Sequence, residues 1–352
     1  MKKVLSFLLT TYVSVPVILY LFPWILSHAI FSHLLRFPYF VDLRRPQDVL
    51  NHTCNFYLSI EEGVSVGVWH TLPVSQWDAA AGRNVDWYRE ALGDGSPVII
   101  YLHGNVGTRA ISHRVALVKI LSAAGYHVLS VDYRGFGDST GDPSEAGLTS
   151  DALYLYHWAK TQSRGSLVCL WGHSLGSGSV SRIFSFRQTA SHDKETKNKI
   201  MTFFPSRVAT NAAVKIQEQG PAVDAVILEA PYTRIGEVVA NHPLAKIYMI
   251  LPGFESLLWN ILERINISFA NDKNLKTLSS PLLILHAEDD NVVPFHMGQK
   301  LYQIALGAQR ESNADARVHM VAYEADLGLS HSHIYLGPNV SDVVQNFLQK
   351  LR

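Results

Sequence analysis

The stretch Trp171-Gly-His-Ser-Leu-Gly-Ser-Gly178 decides how the rest of the chain is interpreted. Residues 172–176 match the pattern G-x-S-x-G, in which a serine lies in a sharp turn between a strand and a helix. The glycines allow other backbone to approach this turn closely, because they have no Cβ. The preceding run, 167–171, is apolar and strand-like, which is the context that the motif requires. Ser174 is therefore the candidate nucleophile.

Short apolar runs alternate with helical patterns on both sides of this motif. The apolar runs predict strands at 97–103, 127–132, 167–171, 225–229, 282–286 and 317–323. The spacing of apolar residues predicts helices at 109–124, 150–163, 296–305 and 340–350, the second with Thr149 or Ser150 as its N-cap. Such alternation predicts an α/β fold: one mostly parallel sheet with helices on both faces.

Two segments depart from this alternation. Residues 54–60 and 64–70 are strand-like around Glu61-Glu-Gly63 and predict a hairpin, and 72–95 is loop-like. Residues 232–278 interrupt the rhythm with apolar stretches punctuated by Pro252-Gly253, and they predict a small helical cap. The cap is interpreted either as packed helices that complete the domain or as a lipophilic lid over the serine.

A serine hydroxyl becomes a good nucleophile only when a base takes its proton. The turn that holds the serine is called the nucleophile elbow. In folds that have it, the serine, its acid and its histidine follow one another along the chain in that order, each after a strand. The acid candidate follows the strand at 282–286, where Asp290 is preferred and Asp289 and Glu288 are the alternatives.

The base candidate follows the strand at 317–323, where His331 is preferred over His333. His173 fills a variable position of the elbow and is not a strong candidate for the base, and His103 is expected to be structural. The oxyanion would be held by main-chain amides after the first buried strand and after the serine. Asn105 and Leu175 are assigned this role.

The composition excludes several classes of function. The chain has 30 Lys and Arg against 30 Asp and Glu, so no basic field points to nucleic acid. Its two cysteines, Cys54 and Cys169, are too few for a disulfide framework or a metal set. No cofactor is expected, because a serine triad transfers acyl groups unaided.

The N-terminus has the composition of a membrane segment. No charged residue lies between Lys3 and Arg36, and residues 4–31 are dominated by apolar side chains. A bilayer core of ~30 Å needs about 20 such residues. We expect an uncleaved anchor at 1–36, kinked at Pro16 and Pro23, and a catalytic domain at 37–352. A cleaved signal peptide is the alternative.

Three glycosylation sequons begin at Asn51, Asn266 and Asn339. They permit a luminal domain without establishing one. The charges on the two sides of the apolar segment favour opposite orientations in the membrane, because Lys2 and Lys3 compete with the arginines that follow the segment.

Several motifs together resemble one family. These are Tyr-Leu-His-Gly-Asn at 101–105, Val-Asp-Tyr-Arg-Gly-Phe-Gly-Asp-Ser at 131–139, the elbow at 171–176, Leu-Leu-Ile-Leu-His-Ala-Glu-Asp-Asp at 282–290, and Asp-Leu-Gly at 326–328. The chain resembles an α/β-hydrolase of the abhydrolase domain-containing protein 12 branch, from about residue 37 to the C-terminus.

The resemblance implies a membrane-anchored lipase acting on lysophosphatidylserine or monoacylglycerol, with Ser174 as nucleophile, Asp290 as acid and His331 as base. It also implies an endoplasmic reticulum anchor and a luminal active site. We expect a serine hydrolase that cleaves esters of single-chain lipids. A thioesterase or acyltransferase with the same triad is the enzymatic alternative, and a non-catalytic hydrolase-fold protein is the other.

One segment departs from the family pattern. In relatives the glycines after the serine continue directly into a helix like 208–214, whereas here 179–207 intervenes with a polar stretch at 188–199. Removing 179–207 keeps the reading frame and joins the two halves of the motif. The insert is interpreted as translated intron, and the alternative is a genuine surface insertion.

Overall fold

The computed structural model describes residues 2–173, 205–241, 243–267, 270–312 and 317–351. These residues form one eight-stranded sheet with the order β1-β2-β4-β3-β5-β6-β7-β8. The strands are β1 Thr53–Glu61, β2 Val64–Thr71, β3 Val98–Leu102, β4 His127–Asp132, β5 Val168–His173, β6 Ala225–Glu229, β7 Leu282–Ala287 and β8 Val318–Tyr323. The pairs β1–β2 and β2–β4 are antiparallel, and all the other pairs are parallel. The prediction of a mostly parallel sheet is confirmed.

The helices of the described part of the chain cover both faces of this sheet. They are α1 Lys2–Leu21, α2 Trp24–Phe31, α3 Val85–Ala91, α4 Ser112–Ala123, α5 Glu145–Gln162, α6 Pro205–Gln219, α7 Ile235–Asn241, α8 Pro243–Tyr248, α9 Phe254–Arg264, α10 Asn271–Asn274, α11 Phe295–Glu311 and α12 Val340–Gln349.

Alternate residues of each central strand enter two different hydrophobic clusters. In β3, Val98, Ile100 and Leu102 belong to the cluster that includes residues of α5, α6 and α11, whereas Ile99 and Tyr101 belong to the cluster that includes residues of α4 and α12. Successive strand residues point to opposite faces, so an unbroken apolar run is what a sheet covered on both sides requires. This arrangement explains why the strands are continuously apolar.

Two local predictions were wrong. Helix α5 begins at Glu145 because Ser144 is its N-cap and accepts a hydrogen bond from the Gly147 amide at 3.0 Å. Thr149, predicted as a cap, lies inside the helix, and its hydroxyl donates to the Glu145 carbonyl. The predicted loop at 72–95 also contains a helix, α3, which Asn84 caps.

The cap predicted at 232–278 contains α7, α8, α9 and α10. Helix α9 buries Phe254, Leu258, Ile261 and Leu262 on one side. This packing fits the interpretation of the cap as helices that complete the domain. Ser174, over which the alternative interpretation places a lid, lies with residues 174–204 outside the described part of the chain. The same range holds Leu175 and most of the 179–207 insert.

The N-terminal apolar segment forms two helices with a 95° bend between them. Pro16 lies inside α1, and the break falls at Pro23, one of the two predicted kink positions. Within the residues described, neither helix alone has the length and hydropathy of a membrane span, whereas the bent pair 12–21 and 24–31 together meets that criterion.

This helix pair packs on the cap and on the core. The Tyr12 hydroxyl donates to the Ile247 carbonyl at 2.6 Å, and the Arg264 guanidinium donates to the Tyr20 carbonyl at 2.9 Å. Ile30 and Phe31 of α2 are buried in the same cluster as the central strands. The end of the apolar segment is therefore also part of the core that covers the sheet.

A carboxyl group is buried at the end of β6. The Trp171 indole N–H donates to Glu229 Oε2 at 2.9 Å, and Oε1 lies 3.8 Å from His173 Nε2. Burial raises the pKa of Glu229 to about 7, and the Trp171 hydrogen bond offsets only part of that effect. This side chain therefore gains a proton on folding throughout the range between its ordinary pKa and about 7.

Glu229→Gln should remove a pH dependence of stability. The folded pKa of Glu229 is raised, so its contribution is complete below the ordinary value of 4.5 and is lost as pH rises through about 7. The shift corresponds to about 3 kcal/mol between pH 4.5 and pH 8. Urea unfolding at pH 5 and pH 8 measures it: the free energy of unfolding should fall less with pH in Glu229→Gln than in the wild type. Glu90→Gln, at an exposed position, is the control, and an equal fall in Glu229→Gln and wild type would contradict this account.

Candidate active site

Parallel strands bring the predicted site residues to one edge of the sheet. Asn105 follows β3, Asp290 follows β7 and His331 follows β8, each shortly after the carboxyl end of its strand. Strand β5 ends at His173, directly before Ser174. Because these strands are parallel, their carboxyl ends meet at the same edge, where ligands bind in open α/β sheets. The described chain thus leads into Ser174 at this edge.

Asp290 and His331 form a short hydrogen bond. His331 Nδ1 donates to Asp290 Oδ2 at 2.6 Å, and both side chains are buried. The other carboxylate oxygen, Oδ1, accepts the main-chain amides of Val292 and Val293 at 2.8 Å each. Three donors therefore fix the carboxylate, which in turn fixes the tautomer and orientation of the imidazole.

The electrostatics keep Asp290 ionised. Burial alone would raise its pKa, but the adjacent His331 ring and hydrogen bonds from His331 and His286 outweigh burial and hold the pKa well below its usual range. His286 Nε2 lies 3.0 Å from the Val293 carbonyl and 3.3 Å from Asp290 Oδ2. With Nδ1 donating to this carboxylate, neutral His331 presents Nε2 as a proton acceptor, and Nε2 has no hydrogen-bond partner among the described residues.

The alternatives for the acid and the base have other positions. Asp289 accepts the Ser330 amide at 2.9 Å through each of its oxygens, and it thereby anchors the loop that carries His331. Glu288 is exposed. The ring of His333 packs near Tyr335, with 6.0 Å between ring centroids. Of the predicted candidates, the geometry joins Asp290 to His331.

His173 and His103 have structural surroundings. His173 Nε2 lies 3.3 Å from the His331 carbonyl oxygen, and burial holds the pKa of His173 well below its usual value. His103 Nε2 lies 3.1 Å from Asp132 Oδ1, and Asp132 also pairs with the buried Arg109 at 2.6 Å. Burial likewise lowers the pKa of His103. Neither ring is free to act as the base.

The oxyanion candidate Asn105 lies in a tightly bonded loop. Its side-chain amide donates to the Ile30 carbonyl of the N-terminal segment. The neighbouring amides of Gly107 and Thr108 donate to the carbonyls of Leu35 and Phe37 at 2.7 and 2.9 Å. The second oxyanion candidate, Leu175, lies outside the described residues.

Sequence reasoning missed three residues that shape this site. Glu229 lies beside the elbow strand, His286 supports Asp290, and Arg114 binds the loop that holds Asn105. Two of them carried a visible signal, because Glu229 ends an apolar strand and Arg114 interrupts the apolar pattern of a predicted helix. Burying a charge is costly unless it has partners, so such positions indicate a specific contact. His286 carried no comparable signal.

Comparison with solved structures supports the fold. An esterase of Pyrococcus furiosus is 15% identical, with a TM-score of 0.56 over 87% of this chain and 93% of its own. Est1E of Butyrivibrio proteoclasticus is also 15% identical, with a TM-score of 0.53 over 84% of this chain and 98% of its own. At these identities the likeness concerns the fold alone.

Comparison at the sequence level is more specific. A family model of the alpha/beta hydrolase fold matches residues 97–189. Lysophosphatidylserine lipase ABHD12 of Xenopus tropicalis is 45% identical over 99% of this chain and 82% of its own length. The Bos taurus protein of the same name is 44% identical over 99% and 80%, and human Protein ABHD12B is 46% identical over 91% and 79%. The predicted resemblance is confirmed, and the chain belongs to the ABHD12 family of α/β-hydrolase-fold serine hydrolases.

Proposed function

We propose that this chain hydrolyses carboxylic esters of single-chain lipids, lysophosphatidylserine first among them, with monoacylglycerol and other lysophospholipids as further substrates. The observation that carries the proposal is the 2.6 Å bond between His331 and Asp290 at the sheet edge where β5 leads into Ser174. The names of the relatives, lysophosphatidylserine lipases, support the lipid head group.

In the proposed reaction His331 Nε2 takes the proton of the Ser174 hydroxyl as the oxygen attacks the ester carbonyl carbon. The carbonyl oxygen becomes an oxyanion that the amides of Asn105 and Leu175 stabilise. The intermediate collapses, the bond to the alcohol breaks, and His331 gives its proton to the departing alcohol oxygen. Water then attacks the acyl-serine by the same steps, which releases the fatty acid and restores Ser174.

Asp290 would stabilise the imidazolium that forms in each half of this reaction. Its pKa is low because the charged form is bonded to His331, so it stays ionised while the imidazole gains and loses a proton. Its position also holds the Nδ1–H tautomer, which leaves Nε2 unprotonated and able to accept the serine proton. These contacts support the roles assigned to Asp290 and His331.

The triad predicts a specific pattern of losses. Ser174→Ala, His331→Gln and Asp290→Asn should each lower kcat on lysophosphatidylserine about 10,000-fold, because each removes an element that the transition state needs. His333→Gln is the matched control, since its ring lies in the same loop, and it should keep kcat within about twofold of wild type. Fluorophosphonate labelling in membranes gives a second readout that should be lost with Ser174. Full activity in His331→Gln together with loss in His333→Gln would reverse the assignment of the base.

A variant that lacks residues 179–207 should be tested in the same labelling assay. Labelling of the full chain would show that the insert leaves the nucleophile active. Labelling of the shortened form alone would support the interpretation of the insert as translated intron. Transcript sequencing addresses that origin directly, and a dominant message with these codons would contradict it.

The leaving group distinguishes the proposed reaction from its enzymatic alternative. We expect a higher kcat/KM on lysophosphatidylserine than on palmitoyl-coenzyme A presented in the same vesicles. A preference for the thioester would favour the thioesterase. Acyl transfer to an added alcohol at the expense of free fatty acid would favour the acyltransferase. Gas-chromatographic measurement of fatty acid and acylated product separates the three outcomes.

We also propose that the N-terminal segment 1–36 anchors the protein, as a single pass, in the endoplasmic reticulum membrane, with the domain 37–352 in the lumen. The absence of charge between Lys3 and Arg36 supports this proposal, as do the exposed apolar side chains Val13, Val17 and Trp24. The sequon residues Asn51, Asn266 and Asn339 are all exposed, so a luminal enzyme could modify them.

The proposed topology has a direct measurement. The full chain should stay with the membrane pellet in alkaline carbonate, and endoglycosidase H should increase its electrophoretic mobility. A variant with Asn51, Asn266 and Asn339 all changed to Gln is the control and should show no such change. Digestion of the catalytic domain by protease added outside intact microsomes would contradict the luminal orientation.

A further inference from the structure

Arg114 of α4 is fully buried and binds four main-chain carbonyls of one loop. Its Nη1 donates to the Thr108 carbonyl at 2.8 Å, and its Nη2 lies 2.9 to 3.0 Å from the carbonyls of Gly104, Asn105 and Val106. All four carbonyls belong to the loop that follows β3. One side chain therefore gathers the loop around a single guanidinium group.

The guanidinium has no carboxylate partner among the described residues. The buried Arg109 pairs with Asp132 at 2.6 Å, and the nearly buried Arg134 pairs with Asp151 at 2.8 Å. Arg114 has carbonyl oxygens instead, and burial lowers its pKa. Burying an uncompensated charge costs several kcal/mol, so the four carbonyls must offset that cost together. At a purely structural position, an apolar residue would avoid the free-energy cost of burying a charge.

The geometry of the peptide unit gives this contact a consequence. In a trans peptide the C=O of one residue is antiparallel to the N–H of the next. Holding the Gly104 carbonyl against Arg114 therefore directs the Asn105 N–H away from Arg114. Within the described residues neither this N–H nor that of Val106 has an acceptor, whereas the amides of Gly107 and Thr108 donate to the carbonyls of Leu35 and Phe37.

The loop does not have a conformation that it would adopt alone. Val106 has φ +54° and Gly107 has φ +74°. A β-branched residue is strained in the left-handed region and persists there only where the surroundings impose it. Arg114 contacts the Val106 carbonyl directly. The guanidinium is therefore one of the contacts that impose the strained conformation.

We infer that Arg114 is a positioning residue for ester hydrolysis: by holding the carbonyls of Gly104, Asn105, Val106 and Thr108, it points the Asn105 amide at the oxyanion. This inference rests on the proposed role of that amide. Arg114 does not touch the reacting atoms. It acts through the loop, so its loss should affect the transition state much more than substrate binding.

Arg114→Lys tests the inference, because lysine keeps the charge but lacks the planar fork that reaches four carbonyls. We expect kcat on lysophosphatidylserine to fall about 100- to 1,000-fold, as for removal of one oxyanion donor, with KM within about twofold of wild type. Affinity for a trifluoromethyl ketone, which forms the tetrahedral oxyanion, should fall in parallel. Affinity for a non-hydrolysable ether analogue of the substrate should not change.

Arg134→Lys is the matched control, since it alters another largely buried arginine away from this loop. It should lower the unfolding temperature and leave kcat within about twofold of wild type. An Arg114→Lys protein with unchanged kcat would overturn the inference, and so would equal losses for the ketone and the ether. Arg114→Gln provides a second variant if the lysine does not fold. Failure of both to fold, judged by near-ultraviolet circular dichroism, would assign Arg114 a structural role and contradict the inference.

The wild-type protein in the same assay separates the two proposals. No turnover by wild type on any lipid ester would contradict the proposed function. Turnover by wild type that persists in Arg114→Lys would contradict the positioning role alone.

Discussion

The hydrogen bond between His331 and Asp290 depends on the parallel pairing of the last two strands. Strands β7 and β8 lie side by side in register, with Ala287 opposite Tyr323, so the loops that follow them leave the sheet at the same edge. One loop places the carboxylate and the other the imidazole, and the Asp289 contact with the Ser330 amide holds the second loop to the first. A slip of this register would separate the acid from the base.

Several buried polar groups lie near the carboxyl ends of the parallel strands, and the surrounding residues must stabilise them. Asp290 stays charged because the adjacent His331 ring and hydrogen bonds from His331 and His286 outweigh its burial, whereas Glu229 is left with one strong donor and its pKa rises to about 7. Arg114 is compensated by carbonyl dipoles rather than by a carboxylate. These contacts are strong because little water competes with them. For the same reason, breaking one of them leaves a buried polar group unpaired, which destabilises the fold. Preorganised dipoles in such a setting are what stabilisation of an oxyanion requires.

Much of the fold could be predicted from the sequence because the central strands are continuously apolar and end in recognisable motifs. Strands β4 and β6 begin and end where the apolar runs do. The start of α5 was misjudged because Ser144 and Thr149 both have capping side chains, and only tertiary structure decides which amides they meet. Order along the chain and position after a strand selected Asp290 and His331, and the geometry joins that pair. Arg114 interrupts the apolar pattern of a predicted helix, but its partners are main-chain carbonyls that only the folded loop brings together. His286 carried no signal, because only the folded turn after β7 places it 3.3 Å from Asp290, four residues later.

In the proposed reaction the Asn105 loop, Ser174 and the Asp290–His331 pair act on one ester carbonyl. The most direct test is an experimental structure of the full chain after reaction with a lipid-like fluorophosphonate. We expect phosphorus bonded to Ser174 Oγ, a phosphoryl oxygen about 3 Å from the Asn105 amide, and His331 Nε2 facing the serine oxygen. An adduct on another side chain, or a phosphoryl oxygen directed away from the loop at 104–108, would contradict it.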